Sequence, residues 1–353
     1  MSYQNLTTPD GRHLTFPLLQ GGMGVGISLG RLAGAVAREG CMGTLSTADC
    51  GYREPDFYRH PDAANLRALR EEIHRAFALS RGNGLIAVNA MVASTQYADA
   101  VRAAVDAGVD AVVSGAGIPL SLPEYAEDGP AMIAPIVSSG RAAALICKTW
   151  HQRYHRLPDF VVLEGCEAGG HLGFKKRALL TGTCAPLSAL IPEVIDALAP
   201  YRDLAGRDIP IFAAGGIRSR SDLNAMMALG AAGVQVATPF IATKECDASQ
   251  DYKQVLIDAD PEEIRIVQSP VGMPGRALNT PLMQHLDDIG RIPPRRCSHC
   301  IKSCDPAKVP YCITEALIQA ARGNRDAGLF FCGSQIAGLQ GIRTVKDVVA
   351  DFC

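Results

Sequence analysis

The sequence lacks the features of a membrane-embedded or nucleic-acid-binding protein. It contains no apolar run of about 18 residues or more, so no transmembrane helix is expected. The net charge is only −2, from 34 basic and 36 acidic residues, which argues against nucleic acids and anionic membranes as partners. The first residues, MSYQNLTTPDGRHLTF, lack the basic and then apolar arrangement of a signal peptide. We therefore expect a cytoplasmic protein with no nucleic-acid or membrane partner.

Disulfide bonds are not expected either, although the chain contains 12 cysteines. Without a secretory signal, such cysteines indicate a reducing compartment, where thiols serve as core residues or metal ligands. The 353 residues are 48% hydrophobic and 20% charged, which provides ample material for a core. This length fits one α/β barrel of about 250 residues with additions.

Short apolar runs alternate with amphipathic, alanine-rich stretches along most of the chain. Continuous apolar strands separated by helical segments indicate buried parallel strands joined by crossover helices. Eight such units favour a (β/α)8 TIM barrel over an open doubly wound sheet, although their order alone does not exclude the open sheet. The predicted strands cover residues 16–22, 43–47, 85–92, 111–117, 131–139, 159–165, 209–216 and 233–240.

The composition changes after the eighth predicted strand. Residues 246–294 are more charged and contain several prolines, and a cysteine-dense tail begins at Arg295. We therefore predict a barrel over residues 1–290, with an inserted segment around 241–290. Residues 291–353 are predicted to form a Cys-rich helical cap.

The seventh and eighth predicted strands end in residues that suit a phosphate group. In a TIM barrel the chemistry takes place at the C-terminal ends of the strands. Gly215 and Gly216 close the seventh strand, Ser219 or Ser221 could cap the following helix, and the eighth strand ends in Gln235–Thr238. Loops at these positions bind phosphate through backbone amides and a helix N-terminus. The alternative is a tight turn that needs two glycines for backbone reasons alone.

The segment VVLEGCEAGGHLG, residues 161–173, joins one histidine and two carboxylates to a stretch with few side chains. His171 follows Gly169 and Gly170 beyond a strand end, where it could exchange protons near neutral pH. The two glycines would let the backbone lie against a ring. Glu164 could hydrogen-bond a cofactor or orient a loop, and Glu167 could orient the imidazole. The alternative is a structural histidine.

Asn89 lies near the end of a predicted strand that is otherwise apolar. A buried amide needs hydrogen-bond partners. Either the edge of a polar ring or a neighbouring loop would satisfy it.

Four motifs together identify a family. LLQGGMGVGIS, EGCEAGGHLG, IPIFAAGGI and GVQVATPFIAT resemble the FMN-dependent nitronate monooxygenase (2-nitropropane dioxygenase-like) family, which includes FMN-containing enoyl-acyl-carrier-protein reductases. The resemblance runs from about residue 16 to residue 280, and EGxEAGGHxG is its most specific part.

This resemblance implies a barrel that holds FMN non-covalently, with His171 as the catalytic residue facing the flavin ring. The sequence departs from the family at Glu164, where members often have glutamine, and at SPVGMPGRALNT, residues 269–280. The cofactor-binding residues that the resemblance implies are Gly22, Met23, Gly24, Asn89, Glu164, Gly169, Gly170, Gly215, Gly216, Gln235, Val236, Ala237 and Thr238.

The function that we expect from the resemblance is oxidation of alkyl nitronates or nitroalkanes to a carbonyl compound and nitrite, with O2 reoxidising the flavin. The alternative is an FMN-dependent enoyl-acyl-carrier-protein or enoyl-thioester reductase that uses NAD(P)H. A second alternative is a non-catalytic partner subunit that binds flavin or metal. A homodimeric assembly is left open.

The tail CSHCIKSCDPAKVPYC places Cys297, Cys300, Cys304 and Cys312 at short spacings. Four thiols this close in a cytosolic protein predict a metal site. Thiolates select zinc or iron–sulfur clusters, and the spacing fits no zinc ribbon and fits a 4Fe–4S cluster loosely. Unmetallated thiols in a packed helical cap are the alternative.

Overall fold

The computed structural model describes residues 6–127 and 129–353. Eight parallel strands form a closed barrel, because the first strand pairs with both the second and the last. The predicted (β/α)8 architecture is therefore confirmed. The barrel strands are β1 (Leu18–Gln20), β2 (Met42–Ser46), β3 (Leu85–Met91), β4 (Ala111–Gly115), β5 (Met132–Val137), β6 (Val161–Glu164), β8 (Ile211–Ala214) and β9 (Gly233–Val236).

Helices connect these strands and continue beyond the last one. Among the described residues, no helix is both long and apolar enough to cross a bilayer. Two short 3-10 helices cover Pro261–Glu263 and Ile336–Gly338. The α-helices are α1 (Gly30–Arg38), α2 (Pro61–Ser80), α3 (Tyr97–Asp106), α4 (Leu122–Ala126), α5 (Gly140–Tyr154), α6 (Lys176–Thr181), α7 (Leu187–Ala205), α8 (Arg220–Ala228), α9 (Thr238–Ile241), α10 (Gln250–Ile257), α11 (Pro281–Ile289), α12 (Ile313–Ala321) and α13 (Val345–Ala350).

All eight predicted strands are present, but each of them ends earlier than predicted. The largest difference is in the last one, which was expected to reach Phe240 and stops at Val236. The chain there turns directly into the short helix α9, with Pro239 in its first turn. Proline is favoured at this position because the first helical amides have no partner within the helix.

Side chains inside the barrel are larger at its base than at its mouth. The rings of Phe160 and Phe212 meet edge to face with centroids 5.7 Å apart and fill the base. Successive side chains of a strand point to opposite faces of the sheet. Every second residue along each strand therefore points into the barrel. The interior set includes Met42, Leu85, Met132, Phe160 and Phe212 near the strand starts, and Ala87, Ala134 and Ala214 further along.

The same period places polar side chains at the mouth. Asn89 comes two residues after the interior Ala87, and Glu164 two residues after the interior Val162. On β9, Val234 and Val236 pack outside against the helices, so Gln235 faces inwards. The barrel therefore presents three polar side chains above an apolar floor.

A small antiparallel sheet covers this end of the barrel. It consists of β10 (Ile264–Gln268), β11 (Pro274–Leu278) and the two-residue strand β7 (Gly170–His171), in the order β10–β11–β7. The C-terminal segment continues it, because the Leu278 amide donates to the Phe330 carbonyl at 2.9 Å and Ala277 bridges Phe331. The sequence predicted none of these strands. The segment 264–278 thus lies over the mouth as a hairpin.

Candidate active site at the barrel mouth

A cavity of about 450 Å³ lies at the C-terminal ends of the barrel strands. Its volume falls within the usual range for ligand pockets, roughly 300–1,000 Å³. The structure brings all the predicted catalytic and cofactor-binding residues together in its wall. These are Gly22, Met23, Gly24, Asn89, Glu164, Gly169, Gly170, His171, Gly215, Gly216, Gln235, Val236, Ala237 and Thr238.

His171 is held from two sides. It pairs with Gly275 across the small sheet, which brings its imidazole Nε2 to 2.7 Å from the Ser269 hydroxyl oxygen. The Phe331 ring meets the imidazole edge to face, with centroids 5.0 Å apart. Burial lowers the pKa of His171 to about 4. The imidazole is therefore neutral at physiological pH.

Glu164 is a carboxylic acid rather than a carboxylate at neutral pH. Burial raises the pKa of Glu164 to about 8, and the Gly173 backbone amide and the charge of Arg276 oppose this increase only in part. A protonated carboxyl group can donate one hydrogen bond and still accept others. Glu164 can therefore act at neutral pH much as the amide of a glutamine would.

Arg276 fixes the loop between Glu164 and His171. Its guanidinium Nη1 donates to the carbonyl oxygens of Cys166 and Ala168, at 2.6 and 2.7 Å. Arg276 also lies opposite Gly170 in the small sheet. The hairpin thus places both the histidine and the loop that precedes it.

The prediction that Glu167 orients the imidazole is wrong. The hydroxyl of Ser334 donates to the Glu167 carboxylate at 3.3 Å, and the Ser334 amide donates to the Glu167 carbonyl at 3.1 Å. The partner of His171 is Ser269, which comes from the hairpin almost a hundred residues later. Glu167 instead attaches the loop to the C-terminal segment.

The glycine pair after β8 allows a close approach of two loops. Gly215 and Gly216 have φ angles of +105° and +75°, in the region that favours glycine. A Cβ atom on Gly215 would lie 2.9 Å from the amide nitrogen of Ala168. The pair is therefore required by the close packing of these two loops.

The helix after this pair is capped by its own side chains. Ser219 is its N-cap, as predicted, and forms a capping box with Asp222. The Asp222 carboxylate accepts from the amides of Arg218 and Ser219, while the Arg220 amide donates to the Asp351 carbonyl. A phosphate here would depend on the glycines and the Gln235–Thr238 turn, because most of the first amides of the helix are already bonded.

Two amide side chains face the cavity with unused hydrogen-bonding capacity. Asn89 and Gln235 are half-buried, and neither side chain makes a hydrogen bond to another described residue. A Cβ on Gly22 would lie 2.3 Å from the Asn89 Cβ, so glycine is needed there for Asn89 to occupy its position. Met23 differs, because its amide and its carbonyl are both bonded to Ser28.

Sequence reasoning missed four residues of this site. Ser269, Arg276 and Phe331 approach from the hairpin and the C-terminal segment, and no periodic pattern links them to His171. Arg218 also lines the cavity, where its Nη1 lies 3.4 Å from the Gln335 side-chain oxygen. A basic residue two positions after a glycine pair was the one available signal.

The four predicted cysteine ligands lie elsewhere. Cys297, Cys300, Cys304 and Cys312 line a separate cavity of about 170 Å³. Within residues 6–127 and 129–353, no three His, Cys, Asp or Glu side chains lie close enough to hold a single metal ion. A zinc ion therefore has no ready site in the described part of the chain.

Comparison with known proteins agrees with this geometry. The family model for nitronate monooxygenase matches residues 9–353. A probable nitronate monooxygenase of Bacillus subtilis is 25% identical, with 96% of each chain covered. FabK from Thermotoga maritima has a similar fold, with a TM-score of 0.71 and 24% identity over 96% of this chain and 92% of that chain. Nitroalkane oxidase from Streptomyces ansochromogenes gives a TM-score of 0.69 and 21% identity over 96% and 95%.

Proposed function

The chain belongs to the nitronate monooxygenase family of oxidoreductases, and from this premise we propose that it binds FMN in the barrel-mouth cavity and oxidises alkyl nitronates or nitroalkanes. The products would be a carbonyl compound and nitrite. The relative in Bacillus subtilis, which matches over 96% of each chain, is named a probable nitronate monooxygenase.

The residues of the cavity fit FMN. Asn89 and Gln235 offer amides that no described residue occupies, and protonated Glu164 offers a hydrogen-bond donor to a ring edge. At the other side, the backbone of Gly215 and Gly216 lines the cavity where the phosphate would bind, and Arg218 supplies a positive charge. Bound FMN would supply the redox chemistry, and the protein would supply position and proton transfer.

His171 is the residue that would move the proton. Its lowered pKa leaves the imidazole unprotonated, and when Nε2–H donates to Ser269 the lone pair of Nδ1 is available. That nitrogen would accept the α-proton of a neutral nitroalkane. With a preformed nitronate there is no α-proton to remove, and His171 would only position the anion.

The observation that carries the proposal is this neutral histidine, held between Ser269 and Phe331 at the mouth of the barrel. The test is steady-state turnover by the FMN-loaded protein of one nitroalkane, supplied either as the neutral acid or as its preformed nitronate. We expect consumption of O2 and release of nitrite with both forms. A protein that binds FMN but turns over neither form would overturn the proposed reaction.

The same protein separates this function from the reductase alternative. Anaerobic mixing with NADH or NADPH should reduce the flavin slowly compared with reduction by a nitronate. Fast reduction by a nicotinamide, followed by reoxidation by an enoyl thioester, would instead identify the enoyl reductase.

A further inference from the structure

The four cysteines of the C-terminal segment form a single chamber. Cys297, Cys300, Cys304 and Cys312 all line the cavity of about 170 Å³, although up to 15 positions separate them along the chain. The proposed flavin reaction uses none of these thiols. A cavity lined by four thiols therefore needs another explanation.

The backbone that carries these cysteines is held in place although it contains no helix or strand. Residues 297–302 are bonded to the loop after β3: the Thr95 amide donates to the Cys300 carbonyl at 3.1 Å, and the Lys302 amide donates to the Ala93 carbonyl at 3.0 Å. The Thr95 hydroxyl donates to the His299 carbonyl at 2.6 Å. The chamber is thus fixed to the barrel.

The fourth cysteine lies at the start of a helix. Cys312 is the N-cap residue of α12, a helix of nine residues, so the start of that helix fixes its position. Cys297 is held by its own loop, where the His299 amide donates to its sulfur at 3.4 Å. The first and last of the four cysteines are therefore fixed by the local backbone.

The size of the chamber favours a cluster over a single ion. A zinc ion needs its thiolates about 2.3 Å from one centre, and the described residues contain no group that compact. In a 4Fe–4S cluster each cysteine binds a different iron, so the sulfurs stand further apart around a larger body. About 170 Å³ is also several times the roughly 30 Å³ that one water molecule occupies in the liquid.

The charge around the chamber is complementary to a cluster. A 4Fe–4S cluster with four thiolates carries net negative charge, and Arg296 and Lys302 line the same space. The Lys302 ammonium is fixed beside the chamber, where it donates to the Val92 carbonyl at 2.9 Å and lies over the Tyr97 ring. From the four cysteines, the chamber and these cations, we propose that the C-terminal segment binds a 4Fe–4S cluster.

The proposed cluster site adjoins the barrel mouth. Ile301 and Ile313 line both cavities, and each directly follows a cysteine of the chamber. The cluster would thus be separated from the flavin cavity by one layer of side chains. The proposal goes beyond the nitronate reaction and does not depend on it, because flavin and iron are measured separately.

The test uses the full chain, purified under anaerobic conditions and then reconstituted with ferric iron, sulfide and a thiol reductant. We expect about four iron and four sulfide per chain, and an electron paramagnetic resonance signal after reduction with dithionite. One zinc per chain without sulfide would overturn the proposal. A protein that takes up no iron even on reconstitution would overturn it as well.

Variants assign the site. Cys300→Ser and Cys304→Ser should each lose at least half of the iron, whereas Cys353→Ser, at the exposed C-terminal cysteine, should retain all of it. Full iron in both ligand variants would contradict the assignment. If those variants do not fold, the wild-type protein still decides, because a cluster should protect four thiols from alkylation until a chelator and oxidant remove the iron.

Discussion

The barrel-mouth cavity and the four-cysteine cavity share Ile301 and Ile313 but are built in opposite ways. The mouth is lined by the ends of strands whose register fixes each side chain, so Asn89, Glu164 and Gln235 follow from a period of two. The cysteine chamber is made from a loop with no period, held by bonds to a neighbouring loop. Strand register therefore determines which side chains line the barrel mouth. The cysteine chamber is recognised in the sequence only from the short spacing of its cysteines.

Different measurements report on the two sites, although Ile301 and Ile313 line both cavities. Substitutions at the mouth should change turnover and flavin binding and leave the iron content as it is. Substitutions of the chamber cysteines should lower the iron content and leave turnover and flavin binding unchanged.

The largest effect is expected for His171→Ala. Loss of a general base typically costs about 10²–10⁴-fold, so kcat/KM for a neutral nitroalkane should fall by that factor. The preformed nitronate should be affected much less, because its proton has already been removed. Iron and flavin contents should match those of the wild type.

Ser269→Ala is the control for this variant. This variant retains the imidazole and removes only the 2.7 Å contact to Nε2. Its kcat/KM for the neutral nitroalkane should therefore fall only about tenfold. Because the pKa of His171 is lowered to about 4, wild-type turnover should show no titration of this group between pH 5 and 8. An equal loss on both substrate forms in His171→Ala would show that the histidine binds the substrate instead of removing its proton.

The next largest effect is expected for Arg276→Met. It leaves the carbonyls of Cys166 and Ala168 without their donor, which should lower the free energy of unfolding by about 2–3 kcal/mol. Denaturant unfolding measures this change. Arg265→Met is the matched control on the neighbouring strand, where a part-exposed ion pair with Asp287 is worth about 1 kcal/mol or less. Equal losses in the two variants would show that Arg276 does not hold the loop.

Gly215→Ala should have a smaller effect. Its positive φ costs about 1–2 kcal/mol with a side chain present, and the new Cβ would press on the Ala168 amide, so FMN should also bind about tenfold more weakly. Gly230→Ala is the control, because its φ of +102° is nearly the same and its new Cβ would meet only the flexible end of Ile195. If Gly230→Ala weakened FMN binding equally, the loss would come from backbone strain in general and not from the contact with the Ala168 amide.

The sequence predicted the barrel and one half of the site. Eight apolar runs and the glycine-rich strand ends locate His171, Glu164 and Gln235, because strand register carries local patterns into space. The other half could not be predicted, since Ser269, Arg276 and Phe331 reach the histidine through a hairpin and tail with no periodic signal. The Glu167 prediction failed for the same reason. Glu167 is close to His171 in the sequence, but the tertiary fold brings Ser269 to the imidazole and pairs Glu167 with Ser334.

The smallest effect is expected for Glu164→Gln, and it tests whether a protonated acid acts as a glutamine. The raised pKa of Glu164, about 8, means that the group is neutral at pH 7 and ionises as the pH rises through 8. FMN affinity of the wild type should therefore fall a few-fold between pH 7 and 9, while that of Glu164→Gln stays constant because an amide does not titrate. The two proteins should bind FMN equally well at pH 6 to 7. A parallel fall in both, measured by flavin fluorescence titration, would trace the pH dependence to another group and leave Glu164 without a role at the flavin.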